Sequence, residues 1–350
     1  MRFQGGIHAL LLIAGAGLAA FEGCSLVTSY DGFSGRSGET CGDRVPANTA
    51  KPSGTAEENR PLVGAAQTLR FKDVEGGVPS KLGLDLDENC ESAACEPKAG
   101  APRTRGIDNV LGTFIGNLNP GPDISIDLIK AGQIGLVVQV NGWNGTESDD
   151  AVAVNLFNVA GVNGAADGGA RAVNDGGDVY IPRDTDLQTA PVAKVLFTSS
   201  EAYISQKHLV ARFAEVRLRI LTPTQAGLVA FELAFVDAAV VGTISLSKGG
   251  IEMPDAQLVG RVRDTEILRT LSNLGLCSST GAYSTFKSQI CGVIDLTDAR
   301  NTDGKSHSCT SGSLAVGLAV APAKVAAAPA PAPLGPFLCA TDPTDTCGGR

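Results

Sequence analysis

Apolar and polar positions alternate through the middle of this chain. Gly135 to Gly142 is rich in β-branched residues and alternates toward its end. Asn144-Gly145 begins a turn, and Ala151 to Phe157 reads as a partner strand. The pair predicts an antiparallel hairpin with a polar loop. Gly161 to Asp178 is dense in Gly, Asn and Asp and predicts turns and loop. Asp178 to Ile181 is short and extended before Pro182, and Lys194–Thr198, Glu201–Ile204 and His208–Leu221 are further β segments. Within the last, Ala214 to Ile220 alternates throughout, with Glu215, Arg217 and Arg219 expected to face water. Leu228–Phe235 and Ala239–Leu246 read as buried core strands, and Ser313–Val320 as a strand that closes the sheet.

The period changes in two late segments. Asp264 to Leu274 has apolar residues at 267, 268, 271 and 274, with Asp264 as N-cap and Gly275 as C-cap. Tyr283 to Ile294 spaces Phe286, Ile290 and Ile294 by four, and Ile107 to Leu118 is a third short helix. After Val320, Ala321 to Pro336 is Ala/Pro-rich and predicts an extended tail. The expected fold class is mainly β: an antiparallel β-sandwich or jelly-roll-like domain over residues 65–320, with two or three peripheral helices. The 321–350 tail would carry a small Cys loop.

Composition agrees with many short strands. Gly is abundant at 43 residues and aromatics form only 5%. The net charge is −9, with no basic patch after the first residues. Clustered Lys and Arg are what phosphate backbones require, so no nucleic-acid partner is expected.

The N-terminus reads as an export signal over residues 1–23. Arg2 supplies the positive region, and Ile7 to Ala20 is an apolar run too short to span a bilayer. Small residues lead into Phe21-Glu22-Gly23-Cys24-Ser25. This resembles the lipobox of bacterial lipoproteins, in which a small residue precedes a cysteine that takes a diacylglyceryl thioether. Gly23 and Cys24 match that pattern; Phe21 and Glu22 depart from it. The resemblance implies lipid attachment at Cys24. Ser25, rather than Asp, implies outer-membrane placement by that family's sorting rule. Residues 24–64 read as a flexible tether. Its start, Ser25 to Gly35, resembles the segment after the lipid cysteine in large uncharacterised lipoproteins of myxobacterial type.

The chain has nine cysteines. Setting Cys24 aside leaves an even set for disulfides: Cys41, Cys90, Cys95, Cys277, Cys291, Cys309, Cys339 and Cys347. Exported proteins occupy compartments where disulfides persist. The shortest loops favour Cys90 with Cys95 and Cys339 with Cys347, leaving the other four open. Cys277 and Cys291 flank and enter the helix pair, so a disulfide there would staple one end.

Candidate chemistry is sparse. After export only His208 and His307 remain, and no Gly-x-Ser-x-Gly elbow is present, which argues against a serine hydrolase. Gly15 to Ala20 imitates a dinucleotide fingerprint but lies in the signal. Asp85 and Asp87 share a face if extended, and with Asp108 and Asn109 they form a candidate Ca2+ site of hard oxygen ligands. Asn144–Asp150 and Asp298–Gly304 are two further acidic, Asn-containing loops. Trp143 and Asn144 form a candidate sugar- or protein-binding edge. The sequence thus predicts an exported cell-envelope lipoprotein, a non-enzymatic structural or binding module with a membrane anchor and a glycan or protein partner. The alternative is an extracellular hydrolase acting on glycans.

Overall fold

A computed structural model describes residues 58–71, 82–87, 107–118, 126–163, 172, 174, 176–188, 194–224, 227–299, 308–332, 334, 339 and 344–348. The signal segment, Cys24, Cys41, Cys90, Cys95 and His307 lie outside these residues. In chain order the strands are β1 (Glu58–Arg70), β2 (Leu136–Gly142), β3 (Asp149–Asn163), β4 (Val179–Pro182), β5 (Leu187–Gln188), β6 (Lys194–Val195), β7 (Phe197–Ser205), β8 (His208–Thr224), β9 (Gly227–Thr243), β10 (Ser245–Ser247), β11 (Gly250–Arg263), β12 (Ser311–Pro322) and β13 (Lys324–Val325). The helices are α1 (Val110–Leu118), α2 (Ile126–Lys130), α3 (Asp264–Asn273) and α4 (Gly281–Gly292).

Eight strands run in the order β3-β2-β1-β12-β11-β9-β8-β7, each antiparallel to the next. β7 then pairs back onto β3, from Asp149↔Ile204 to Leu156↔Phe197. The sheet is therefore a closed β-barrel, which corrects the sandwich expectation. The reason is the length of β3. Its first half pairs with β7, while its second half, from Val159 to Asn163, pairs with β4. Alternation along a strand reports that one face is buried, and a sandwich and a barrel share that signature.

The lumen is filled by apolar side chains. Val138, Leu156, Phe213, Leu233, Phe235, Val240, Met253, Leu258, Val316 and Leu318 belong to one buried cluster. An eight-stranded barrel is just wide enough for such side chains to fill. Gln139, Asn155, Arg212, Glu215 and Arg217 are partly exposed at alternate positions. Apolar inside and polar outside is the reverse of a membrane-spanning barrel.

The two ends differ. At one, Leu111 of α1, Ile267, Leu268 and Leu271 of α3, and Tyr283 and Ile290 of α4 join the lumen cluster. Gly312 permits this approach, because a Cβ there would meet Leu111 Cβ at 3.2 Å. At the other end, Trp143, Ile244 and Ile251 are buried beside tight turns. The C-terminal segment is bound to the helix end by Cys277–Cys339 and Cys291–Cys347. Asp345 adds contacts there, accepting from Tyr283 Oη at 2.8 Å and from Lys287 Nζ at 2.6 Å. The expected Cys339–Cys347 loop is thus corrected. Short loop length favoured it, but each tail cysteine instead meets a cysteine of the helix pair. Cys309 is also disulfide-bonded.

Other expectations shift at their edges. β1 starts at Glu58, so residues 58–64 are barrel strand rather than tether. The Ala/Pro-rich segment is extended as expected, yet docked: β13 runs parallel to β4, and Ala330 N donates to Pro182 O at 3.0 Å. Gly227–Thr243 is one strand where the sequence suggested two, because Asp237, at φ +48°, is absorbed as a bulge.

Candidate acidic site on the outer wall

Apolar residues also occupy outward positions on part of the barrel. Tyr203, Val210, Ala239, Val241, Val259 and Ala315 form an outer-wall patch, and Leu82, Leu84, Leu86 and Leu296 cover it. Residues 82–87 alternate Leu with Gly83, Asp85 and Asp87, so an extended segment presents three leucines to the wall.

Side chains hold this segment rather than a strand ladder. Gly83 N donates to Gln257 Oε1 at 2.8 Å, Asn109 Nδ2 to Leu82 O at 3.1 Å and Arg261 Nη2 to Leu86 O at 2.8 Å. Asp108 Oδ2 accepts from Leu86 N at 2.6 Å and from Asp87 N at 3.2 Å. Among the described residues a backbone bridge, Leu84 with Asp108, supplements them.

Three of the four residues expected to bind a cation converge here. Carboxylate oxygens of Asp85, Asp87 and Asp108 lie within 4.8 Å of one another. Asn109 belongs to the scaffold: its Nδ2 holds Leu82 O, and its Oδ1 accepts from Ala315 N at 2.8 Å. A fourth carboxylate, Asp295, is buried nearby and accepts from Ser313 N at 2.7 Å and Ser313 Oγ at 2.6 Å. The fully buried Arg261 also donates to Thr297 O at 3.0 Å and lies 3.7 Å from Asp237 Oδ2.

Burial raises the proton affinity of two members, Asp108 and Asp295. Burial pushes the Asp108 carboxyl well above the usual carboxylate range; the charges of Asp295, Asp87 and Asp85 push the same way, and the Leu86 amide opposes them. Burial lifts Asp295 to about 6 against the hydrogen bonds from Ser313 and the charge of Arg261. A proton or a hard cation would relieve the repulsion; Asp85, Asp87 and Asp108 are the residues placed to ligate a cation. Arg261, Gln257 and Asp295 were not foreseen. Each sits in an ordinary strand or turn pattern, and only the tertiary fold brings them to the segment.

The other expected sites resolve differently. Trp143 is buried, joins the lumen cluster and donates from Nε1 to Thr146 O at 2.9 Å, so it anchors its hairpin instead of offering a stacking face. Asn144 is exposed, and its Oδ1 accepts from Thr146 N at 2.9 Å, a local turn bond. Asp298 accepts from Thr310 Oγ1 at 2.6 Å and Ser311 Oγ at 2.8 Å; residues 300–304 of that loop lie outside the described residues. Burial lowers the pKa of His208, and the charge of Asp255 opposes that shift.

A second polar cluster joins β3, β8 and β9. Arg183 is paired with Glu232, Asp186 Oδ2 accepts from Asn158 Nδ2 at 2.9 Å, and Arg217 Nε donates to Glu215 Oε1 at 2.7 Å. Arg183, Arg217 and Arg219 there balance Asp186, Glu215 and Glu232, whereas the segment 82–87 site has an acidic excess. Compared with protein-family models, curated proteins and solved structures, the chain matches none of them.

Proposed function

We propose that this chain is an exported cell-envelope protein, attached to the outer membrane by lipid at Cys24, whose barrel acts as a non-enzymatic structural or binding module. The observation that carries the reading is a barrel whose lumen is filled with apolar side chains and whose helix end is tied to the C-terminus by two disulfides. Disulfides accord with an oxidising compartment. A filled lumen turns attention to the outer wall as the binding surface, for a protein or glycan partner. The glycan-hydrolase alternative gains no support from Trp143, whose ring is buried. Intact mass and N-terminal analysis of the protein extracted from membranes test the reading. A mature chain beginning at an acylated Cys24 is expected; an unacylated chain in the soluble fraction would overturn the anchor.

A narrower reading follows from the convergence of Asp85, Asp87 and Asp108: they would serve as Ca2+ ligands on the outer wall. Thermal melting in chelator and then in millimolar Ca2+ tests it. A rise in the melting temperature that Asp87→Asn removes is expected, and identical curves would overturn it.

A further inference from the structure

Asn-Gly pairs occur at 141–142, 144–145 and 163–164. Asparagine before glycine readily loses its side-chain amide, because glycine leaves the next backbone nitrogen open to attack the side-chain carbonyl. The fold decides which pair reacts, since the two atoms must meet in a reacting geometry. Asn141 is fixed in a ladder: it lies opposite Ala153 of β3, and Gly142 lies opposite Glu58 of β1. Asn144 and Gly145 are exposed and belong to no strand. Gly164 lies outside the described residues.

Asn144 is also poised chemically. Its Oδ1 accepts from Thr146 N at 2.9 Å. The ring which that bond closes runs through Gly145 N, so carbonyl and nucleophile share one turn. The Thr146 amide polarises the carbonyl and would stabilise the oxyanion that attack creates. Gly145 has φ +89°, and a Cβ there would collide with Leu246 Cδ1, so the position holds glycine for local reasons.

We infer that Asn144 is a self-modification site, converted by its own backbone and water to aspartate and isoaspartate, and that the isoaspartate unseats Trp143. Gly145 N gives its proton to solvent base and bonds Asn144 Cγ. The tetrahedral carbon then expels its nitrogen as ammonia, with a proton from water, and leaves a succinimide. Water opens that ring: cleavage at Cγ gives aspartate, and cleavage at the main-chain carbonyl gives isoaspartate. No oxidant or cofactor enters. Isoaspartate routes the chain through Cβ, adding one carbon inside the turn that buried Trp143 closes from Nε1 to Thr146 O at 2.9 Å.

The test holds the oxidised full chain at pH 8 and maps digests taken over time by mass spectrometry, beside the reduced, denatured chain. In the folded chain Asn144 is expected to convert at least about tenfold faster than Asn141, whereas the denatured chain should convert both at similar rates. Trp143 is the single tryptophan, so emission reports on it alone. Its emission should move to longer wavelength in step with isoaspartate. Asn144→Gln, which would have to close a larger ring, should show neither change. Equal rates at Asn141 and Asn144 in the folded chain, isoaspartate without an emission shift, or the same shift in Asn144→Gln would overturn the inference.

Discussion

Two apolar patches on the barrel's outer wall are covered in opposite ways. Val63, Val137, Phe157, Val159 and Val162 lie under Tyr180 of β4 and Ala323. That cover is a ladder: β4 pairs with β3, and β13 pairs with β4. The other patch lies under residues 82–87, which are held by side chains from β11 and from the turn before α1. Both bury leucine- or tyrosine-sized groups, so their hydrophobic contributions are comparable. They differ in what else they bury. The ladder adds neutral backbone pairs; the side-chain capture encloses four carboxylates near one arginine. The ladder's own backbone bonds are therefore indifferent to pH and charge, whereas the bonds that capture residues 82–87 respond to both.

Truncations set the scale. Tyr180→Ala should remove about 3–5 kcal/mol, and Leu84→Ala about 2–5 kcal/mol, by the usual cost of emptying an apolar site. Denaturant unfolding of each variant measures this. Near-equality supports comparable burial, while a negligible loss for Leu84→Ala would mean that the segment contributes little to the fold.

The pH dependence separates the two covers. Asp108 and Asp295 bind protons more tightly in the folded protein than ordinary carboxylates do. Their contribution is thus fully present below about pH 4, the unfolded carboxylate value, and is lost as the pH rises: that of Asp295 through about 6, and that of Asp108 in the same direction. Melting from pH 4 to pH 8 should show this loss in the wild type. Asp108→Asn should keep acceptance from the Leu86 amide while removing a charge. It is expected to raise stability by about 1 kcal/mol at pH 8 and to change little at pH 4. A variant less stable than wild type at both pH values would show that Asp108 is favourably charged.

The smallest effect is expected from Gln257→Leu. It leaves the Gly83 amide without its carbonyl partner and should lower stability by about 1 kcal/mol, while β4 exchange stays unchanged. Slower exchange at Gly83 in that variant would remove Gln257 from the account.

The ladder side was largely legible in the chain, and the captured side was not. The β2–β3 hairpin, the alternation of β8 and the helices α1, α3 and α4 follow from local periodicity. β11 escaped notice because Pro254-Asp255 reads as a turn. The structure places that pair at a register shift between Met253 and Ala256, where a missing N–H does no harm, and Asp255 accepts from Thr243 N at 2.9 Å. β1 escaped because Pro61, Gly64, Ala65 and Ala66 give little β signal. Barrel closure depends on β3 meeting β7, a pairing that no local pattern encodes. Asp85, Asp87 and Asp108 were visible as spaced acids. Arg261 and Asp295 reach them only because β11 pairs with β12, Arg261 opposite Ser313, and the chain after α4 returns to the same wall.

Native-state amide exchange across pH, corrected for intrinsic rates, tests the contrast between the two covers most directly. The account predicts that the Leu86 and Asp87 amides are less protected than Ile181 and Ala326 at pH 7.5, and that only the first pair gains protection at pH 5. Equal protection of both pairs, or protection at Leu86 and Asp87 that ignores pH, would contradict it.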